Sequence, residues 1–486
     1  MTLDTLGSDF LVLLPLTFLL GWTSLLLLAD LFIPEERKGV MPLLSAIGLA
    51  ITLVLAVTQT GGPVLAFQGM AVLDGFSTFF SVLFAASGLV GVALAYDYLR
   101  QMNLARNAYY TLLLFSVGGM MLMSAATDLM TIFLALELLS IPLYVLSGFA
   151  RPKGESEEAA LKYFLLGAFA SGFVVYGIAL VFGATGTTSL AGVVQAVQAG
   201  ALLNPMLLTI GAALLLIGLG FKVAVVPFHM WTPDVYHGAP TAVTAFMALG
   251  AKAAGFAALL RVFLTAFPQI AADLTPVLWV LAALTMFLGN VVAIAQRNIK
   301  RMLAYSSIAH AGYLLMALAP YGQQGLSGDI SASLLFYLVA YALSNFGAWA
   351  VVMLLERQAD EGLSLDDYAG LGSKSPLLAA CMTVFMLSFA GVPPTLGFVG
   401  KFYLFRTVLE GGFIWLALIG VLTSLVSAYY YLRVVVIMYM HTGEPQVHTA
   451  PWLRWTAGLM AFGLVALTFF GGALFTWASQ ALLTAF

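Results

Sequence analysis

The chain has 486 residues, 62% of them hydrophobic and only 8% charged, with a formal net charge of −3. Soluble domains carry about 25% charged residues, so a water-exposed globule is excluded, and the near-neutral balance offers no basic footprint for nucleic acid. A single cysteine, Cys381, excludes an internal disulfide and a thiolate cluster.

The N-terminal MTLDTLGSDF is acidic and lacks a basic leader region, so the first apolar run is expected to be a span rather than a cleaved signal. Segments of about 20 apolar residues then recur along the chain, broken by short polar loops. The reading is an all-α polytopic membrane protein with about fourteen transmembrane helices. These begin near Phe10, Val40, Asp74, Asn107, Asp128, Glu158, Met206, Ala239, Leu274, Arg301, Ile330, Pro376, Phe413 and Trp455. The stretch Val64–Leu73 reads as a small extramembrane hairpin. The 47 glycines suit close helix contact in lipid.

Loop charges test this count. With the loops numbered alternately, one side receives Arg37, Lys38, Arg100, Arg106, Arg151, Lys153, Arg297, Lys300, Arg301, Arg357, Lys374 and Arg454. The opposite loops receive only acids such as Asp4, Asp9, Asp128, Asp273, Asp329 and Glu410. The positive-inside rule then puts both termini outside the cytoplasm, with a bacterial plasma membrane as the expected setting.

Two spans contain breakers. The seventh runs LLIGLGFKVAVVPFHMWTP, with Gly218, Gly220 and Pro227 around Lys222. The twelfth runs LSFAGVPPTLGFVGKFYLF, with Gly391, Pro393, Pro394 and Gly397 ahead of Lys401. Proline removes a backbone donor, and in lipid the freed groups must be satisfied by protein or water, so broken helices line cavities. Both segments carry Leu-Gly-Phe just before the lysine. Interrupted helices in matching places suggest an inverted repeat with its site at the midplane. Within one membrane domain (1–486), the expected parts are three N-terminal helices (1–106), a first five-helix repeat (107–267), a second, inverted one (274–440) and a C-terminal helix (441–486).

Glu137, Lys222, Lys252 and Lys401 each lie inside a long apolar stretch. A charge at mid-bilayer costs roughly 2.5–3.5 kcal/mol, and a protein that keeps several usually uses them as an ion or proton path. The competing readings are a packing ion pair for Glu137 and snorkelling to an interface for Lys252 and Lys401. Lys162 stands at a helix start, Asp30 near an interface, and Arg261, Arg406 and Arg433 read as anchors near helix ends. Burial disfavours an ammonium and a nearby carboxylate favours it, so a buried lysine with a movable acid partner can load and release a proton near neutral pH. Ser306, Ser307, His310, Tyr313 and Tyr341 are candidates to hold water between such sites. The run HMWTPDVYHGAPT, with His229, Asp234 and His237, reads as a capped turn; its sparse ligands do not suit a metal. No nucleotide-binding glycine loop, CxxC or paired haem histidines appear, so no NADH, flavin or iron–sulfur cluster is expected in this chain.

The blocks VVPFHMWTPDVYHGAPTAVTAFMA, NIKRMLAYSSIAHAGYLL and SFAGVPPTLGFVGKFYLF resemble the antiporter-like membrane subunits of respiratory complex I, most of all the N type. The M type would carry a glutamate where Lys401 stands, and the L type a long lateral helix at its C-terminal end. The resemblance covers nearly the whole chain. It implies fourteen helices with two inverted five-helix repeats and broken helices 7 and 12. It implies that Glu137 pairs with Lys222, that Lys252 is the connecting lysine, Lys401 the exit lysine and His310 part of the relay. It also implies a hetero-oligomer in lipid with M-, K- and J-type neighbours, in which partner subunits hold NADH, FMN, iron–sulfur clusters and quinone. The expected function is proton translocation driven by remote electron transfer. The alternatives are a stand-alone or Mrp-type cation/proton antiporter and a structural spacer subunit.

Overall fold

Backbone donors and acceptors in an apolar run must be satisfied within the run itself, and helix is the local solution. The computed structural model describes residues 3–33, 39–59, 62–358 and 361–484, with side chains from residue 7 onward. Arg37 and Lys38, expected among the loop cations, lie outside the described residues. The helices are α1 (Leu3–Val12), α2 (Leu14–Ala29), α3 (Met41–Thr58), α4 (Gly75–Gln101), α5 (Ala108–Ala125), α6 (Leu129–Ser147), α7 (Gly154–Thr185), α8 (Leu190–Gln198), α9 (Pro205–Val223) and α10 (Trp231–Gly238). They continue with α11 (Thr241–Thr265), α12 (Ala271–Ile294), α13 (Ile299–Leu318), α14 (Ser327–Leu355), α15 (Leu371–Lys374), α16 (Pro376–Ala390), α17 (Leu396–Glu410), α18 (Ile414–Met440), α19 (Pro451–Phe469) and α20 (Gly471–Gln480).

Among the described residues, 11 helices are long and apolar enough to cross a membrane. The other three expected spans correspond to α2, which is 16 residues long, to the more polar α13, and to the pair α16–α17, which share one interrupted span. The expected hairpin is present as β1 (Val64–Ala66) paired antiparallel with β2 (Ala71–Leu73). Short polar side chains start several helices. Asp74 and Ser77 form a capping box on α4, Asp128 caps α6, Asn204 caps α9, Asn298 caps α13 and Thr395 caps α17.

At the centre stands α11, whose apolar window is 100% buried, packed by α4, α5, α9 and α14. Small residues bring its neighbours close. A β-carbon on Gly119 of α5 would lie 2.4 Å from the backbone nitrogen of Leu139 on α6. Gly119→Val is therefore expected to destabilise the chain by about 1–3 kcal/mol through forced separation of α5 and α6, read as a fall in the thermal unfolding midpoint in detergent. An unchanged midpoint would show that this contact is slack.

Two local expectations are corrected, and one further helix emerges. Arg261 is not an interfacial anchor: it is fully buried on α11. A helix enclosed on every side gives its guanidinium no route to water, and it forks instead onto Asp74 at 2.9 and 3.0 Å. The segment around Asp234 is not a turn but the eight-residue helix α10, because after the break the chain packs against α7 and α13. The amphipathic α8 was not anticipated; Ser189 caps it and it buries Leu190, Val193 and Val194, a pattern too short to stand out between spans. Arg406 does face outward, paired with Glu410 at 2.8 Å, and Arg433 donates to the carbonyls of Ile294 and Gln296 at the end of α12.

Candidate functional site

The first break follows Lys222. Ala224 adopts φ +63°, ends α9 and turns the chain toward α10. The freed backbone is satisfied by side chains: Trp231 Nε1 donates to the Phe221 carbonyl at 3.0 Å, and Val226 N donates to Thr285 Oγ1 of α12 at 3.0 Å. Gly218 and Gly220, expected at the break, lie inside the helix instead. Gly218 is there for contact, since a β-carbon would meet Val174 of α7 at 2.3 Å. Pro227 does lie in the non-helical stretch.

Lys222 is 3% exposed in the last turn of α9. Its ammonium donates to Ser140 Oγ of α6 at 2.7 Å and to the Tyr163 hydroxyl of α7 at 3.0 Å. It also sits over the Tyr144 and Tyr163 rings at 5.7 and 5.0 Å, a favourable cation–π position. Tyr163 is held in turn by Trp231, stacked at 4.4 Å. Glu137 is half-buried one turn before Ser140, and accepts a 2.5 Å hydrogen bond from Ser171 Oγ of α7. The two expected partners therefore do not touch in this conformation: Ser140 and Tyr163 hold the lysine while Ser171 holds the acid.

Lys222 packs against the helix that carries the next lysine. A β-carbon on Gly255 of α11 would lie 3.6 Å from Lys222 Cβ, and Gly255 is one turn beyond Lys252. The small residues around Lys252 thus admit the end of α9. Lys252, 2% exposed, donates to the carbonyl and, at 2.5 Å, to the hydroxyl of Ser307 on α13. Tyr341 of α14 donates to the same Ser307 hydroxyl at 2.9 Å. His310, three residues on, is bonded through Nδ1 to Tyr337 at 2.5 Å and through Nε2 to Tyr431 at 3.0 Å. Tyr431 also bonds Ser306.

The second break falls where expected, except that Gly397 lies inside α17 and serves contact, since a β-carbon would meet the Ser388 carbonyl at 2.1 Å. Gly391 takes φ +79° at the end of α16, Pro393 and Pro394 follow, and Thr395 starts α17. Gly391 is needed twice over, because a β-carbon would fall 2.8 Å from Lys401 Cδ as well as straining the backbone. Lys401, 4% exposed, donates to the freed Ala390 carbonyl at 3.1 Å and to Ser424 of α18 at 2.7 Å. The carbonyl end of the half-helix α16 favours a cation there. Tyr313 lies beneath the ammonium at 4.8 Å, its hydroxyl bonded by Asn290 at 3.0 Å.

The arrangement thus brings Lys252, Ser306, Ser307, His310, Tyr313, Tyr341 and Lys401 into one polar string through the middle of the helix packing, with the Lys222 stem set against Gly255, one turn from Lys252. Ser140, Tyr163, Ser171, Tyr431 and Ser424 belong to it and had no signal in the sequence beyond being hydroxyls in apolar helices. On the basic side, Asp234 of α10 bridges Lys162 of α7 at 2.6 Å and Arg301 of α13 at 3.0 Å. Burial works to raise the Asp234 pKa, but the two cations outweigh it and hold the carboxyl below its ordinary value. Among the described residues no cluster of His, Cys, Asp and Glu could hold a metal ion.

Residues 126–427 match the family model described as NADH:quinone oxidoreductase/Mrp antiporter, TM. The chain belongs to this family. The NADH-quinone oxidoreductase subunit N of Trichlorobacter lovleyi is 53% identical over 422 residues, covering 87% of this chain and 85% of that one. A chain of respiratory complex I from Thermus thermophilus with bound aureothin matches with TM-score 0.81 and 37% identity, over 96% of this chain and 99% of that chain. A chain of the Mrp complex from Dietzia sp. DQ12-45-1b shares the fold, with TM-score 0.84 at 22% identity over 99% and 97% of the two chains. Lys222, Lys252, Lys401 and both helix breaks fall inside the region the family model covers.

Proposed function

We propose that this chain is a proton-translocating, N-type membrane subunit of a NADH:quinone oxidoreductase complex, carrying protons from the basic, cytoplasmic side to the acidic, outer side. One observation carries the reading. Lys222, Lys252 and Lys401 are buried, and each is held only by hydroxyls, carbonyls and ring faces, with no carboxylate in ion-pair contact among the described residues. Full pairing with acids would lock their protons. Neutral, reorientable partners leave each lysine free to give its proton up.

A proton enters at Lys222, whose hold on it strengthens when Glu137 swings toward it and weakens when Ser171 keeps the acid away. Charge on one lysine raises the cost of charge on the next by Coulomb repulsion, which in a low-dielectric interior reaches several kcal/mol at close range. The proton passes through Lys252 and the Ser307–Tyr341 and His310–Tyr431 links to Lys401, and leaves beyond α17. The driving stroke comes from electron transfer in partner subunits that hold NADH, FMN, iron–sulfur clusters and quinone, with M-, K- and J-type chains as membrane neighbours. Two inverted repeats, 107–267 and 274–440, would present the two broken helices from opposite sides. Both termini would lie outside the cytoplasm of a bacterial plasma membrane.

The Mrp-type reading shares the fold, but identity of 53% to a subunit N against 22% to an Mrp chain favours the redox-driven role. The test is ion exchange by membranes holding this chain without redox subunits. The expected result is no sodium-dependent proton exchange there, and proton translocation only in the assembled complex on addition of NADH. Sodium-dependent exchange by the chain alone would overturn the reading.

A further inference from the structure

A cavity of about 340 Å³ opens on the basic side over the first turn of α11, where α4, the α6–α7 loop, α13 and the end of α14 meet. Glu356, the residue that closes α14, lines it and is 3% exposed. Oε1 of Glu356 accepts from the Tyr98 hydroxyl at 3.1 Å. Oε2 is buried with no hydrogen-bond partner among the described residues. The Glu356 backbone carbonyl is fixed by Gln101 Nε2 at 2.8 Å. Leaving a buried carboxylate oxygen unpaired costs several kcal/mol, so such an atom at the wall of an open cavity calls for a use.

Its surroundings point inward. The Tyr98 hydroxyl accepts from Thr241 N at 3.1 Å, and Thr241 opens α11. The Thr241 hydroxyl is itself buried without a partner. Thr241 and Lys252 are eleven residues apart, about three helical turns, and therefore share one face of α11 roughly 16 Å apart. Between them that face carries only the methyl groups of Ala245 and Ala248, with the Asn345 amide donating to the Ala245 carbonyl at 2.9 Å. Alanines leave more room along this face than larger side chains would, and a file of water there would use the backbone carbonyls and the Asn345 amide as partners.

We propose that Glu356 is a proton-loading site that takes protons from water on the basic side and passes them along this face of α11 to Lys252, an inlet separate from the Glu137–Lys222 end. It rests on the function proposed above. Oε2 binds a proton from cavity water. That O–H bond breaks as water along α11 accepts the proton, and an N–H bond forms on the neutral Lys252 amine; no electron moves. Tyr98 is a positioning residue that holds Oε1 and leaves Oε2 unpaired. Arg151, Lys153, Lys300 and Arg357 line the same cavity; Arg151 pairs with Glu157 at 3.6 Å, Lys153 with Glu155 at 3.8 Å and Arg357 with Glu361 at 2.9 Å, and Lys300 donates to the Ala239 carbonyl at 2.9 Å. Tyr368 is the remaining ionisable group whose charge couples to Glu356.

The test uses the whole complex in proteoliposomes, with protons counted per NADH oxidised by a pH dye. Glu356→Gln keeps an acceptor for Tyr98 and removes the proton site. It is expected to lower the ratio by part of what Lys252→Ala removes, and the double variant to lower it no further than Lys252→Ala alone. The infrared difference spectrum of turnover should contain a deuterium-sensitive carboxyl band that Glu356→Gln removes. Thr241→Val, isosteric and without the hydroxyl, should lower the ratio in the same direction and covers the case in which Glu356→Gln does not assemble. A parental ratio in Glu356→Gln or Thr241→Val, with Lys252→Ala impaired, overturns the inlet alone. A parental ratio in Lys252→Ala and Lys222→Ala overturns the inlet and the proposed function together.

Discussion

Lys222→Ala is expected to leave the complex assembled and to abolish the proton translocation that enters through Lys222. The structural cost is modest. Ser140 keeps its bond to the Leu136 carbonyl and loses only the lysine, while the Tyr163 hydroxyl loses its hydrogen-bond donor, worth about 1–3 kcal/mol. The functional cost is large, because a positioned acid–base group contributes roughly 10²–10⁴-fold to a proton-transfer step. Lys222→Arg separates charge from protonation. A guanidinium keeps the positive charge beside Ser140 and Tyr163 but does not release its proton at any physiological pH. Arginine is therefore expected to fail nearly as badly as alanine in NADH-driven proton uptake by proteoliposomes. A spacer subunit held by charge and packing would instead accept arginine and lose assembly with alanine, which blue-native gels and the same uptake assay would reveal.

Arg261→Ala should have the largest effect on the fold itself. Arg261 and Asp74 are 0% and 2% exposed, and the guanidinium also donates twice to the Ser124 carbonyl, at 2.9 and 2.7 Å. Asp74 further accepts from Ser77 N and from Thr484 N and Oγ1 near the C-terminal end. One ion pair thus ties the starts or ends of α4, α5, α11 and the segment after α20. Removing one partner leaves a buried charge alone, at about 3–5 kcal/mol, a large share of typical stability. The expected outcome is little or no chain in purified membranes, with Asp74→Asn similarly impaired. Arg261→Met combined with Asp74→Asn should recover part of the loss, since replacing both members of a buried pair by uncharged groups is far milder than stranding one. Wild-type accumulation and thermal stability of Arg261→Ala would contradict this assignment.

What the sequence made legible were features written in a single segment. A lysine within twenty apolar residues is conspicuous on its own, and so Lys222, Lys252 and Lys401 could be named before their partners. The paired prolines and Gly391 likewise marked the second break, because Pro393 and Pro394 cannot continue a hydrogen-bonded helix. Pairings across the fold were not legible. Arg261 and Asp74 are 187 residues apart, and nothing local distinguishes Arg261 from an interfacial anchor until α11 is seen to be enclosed. Ser140, Tyr163 and Ser171 read as ordinary helix residues until the facing helix is known. The first break misled for a physical reason: glycine in a membrane helix serves contact as readily as bending, and Gly218 serves contact with Val174 while the turn falls on Ala224. Glu356 sits where a span meets a loop, so its burial was invisible without the neighbouring Tyr98 and Gln101.

The account depends on protons being able to move between the three lysines. The most direct measurement is a cryo-electron microscopy map of the assembled complex under turnover, at a resolution that shows ordered water. It should reveal water bridging Lys222 and Tyr163 to the Lys252–Ser307 pair, and His310 and Tyr431 to Lys401, in at least one populated state. Apolar side chains filling those gaps in every state, with no water resolved where other buried waters are, would contradict it.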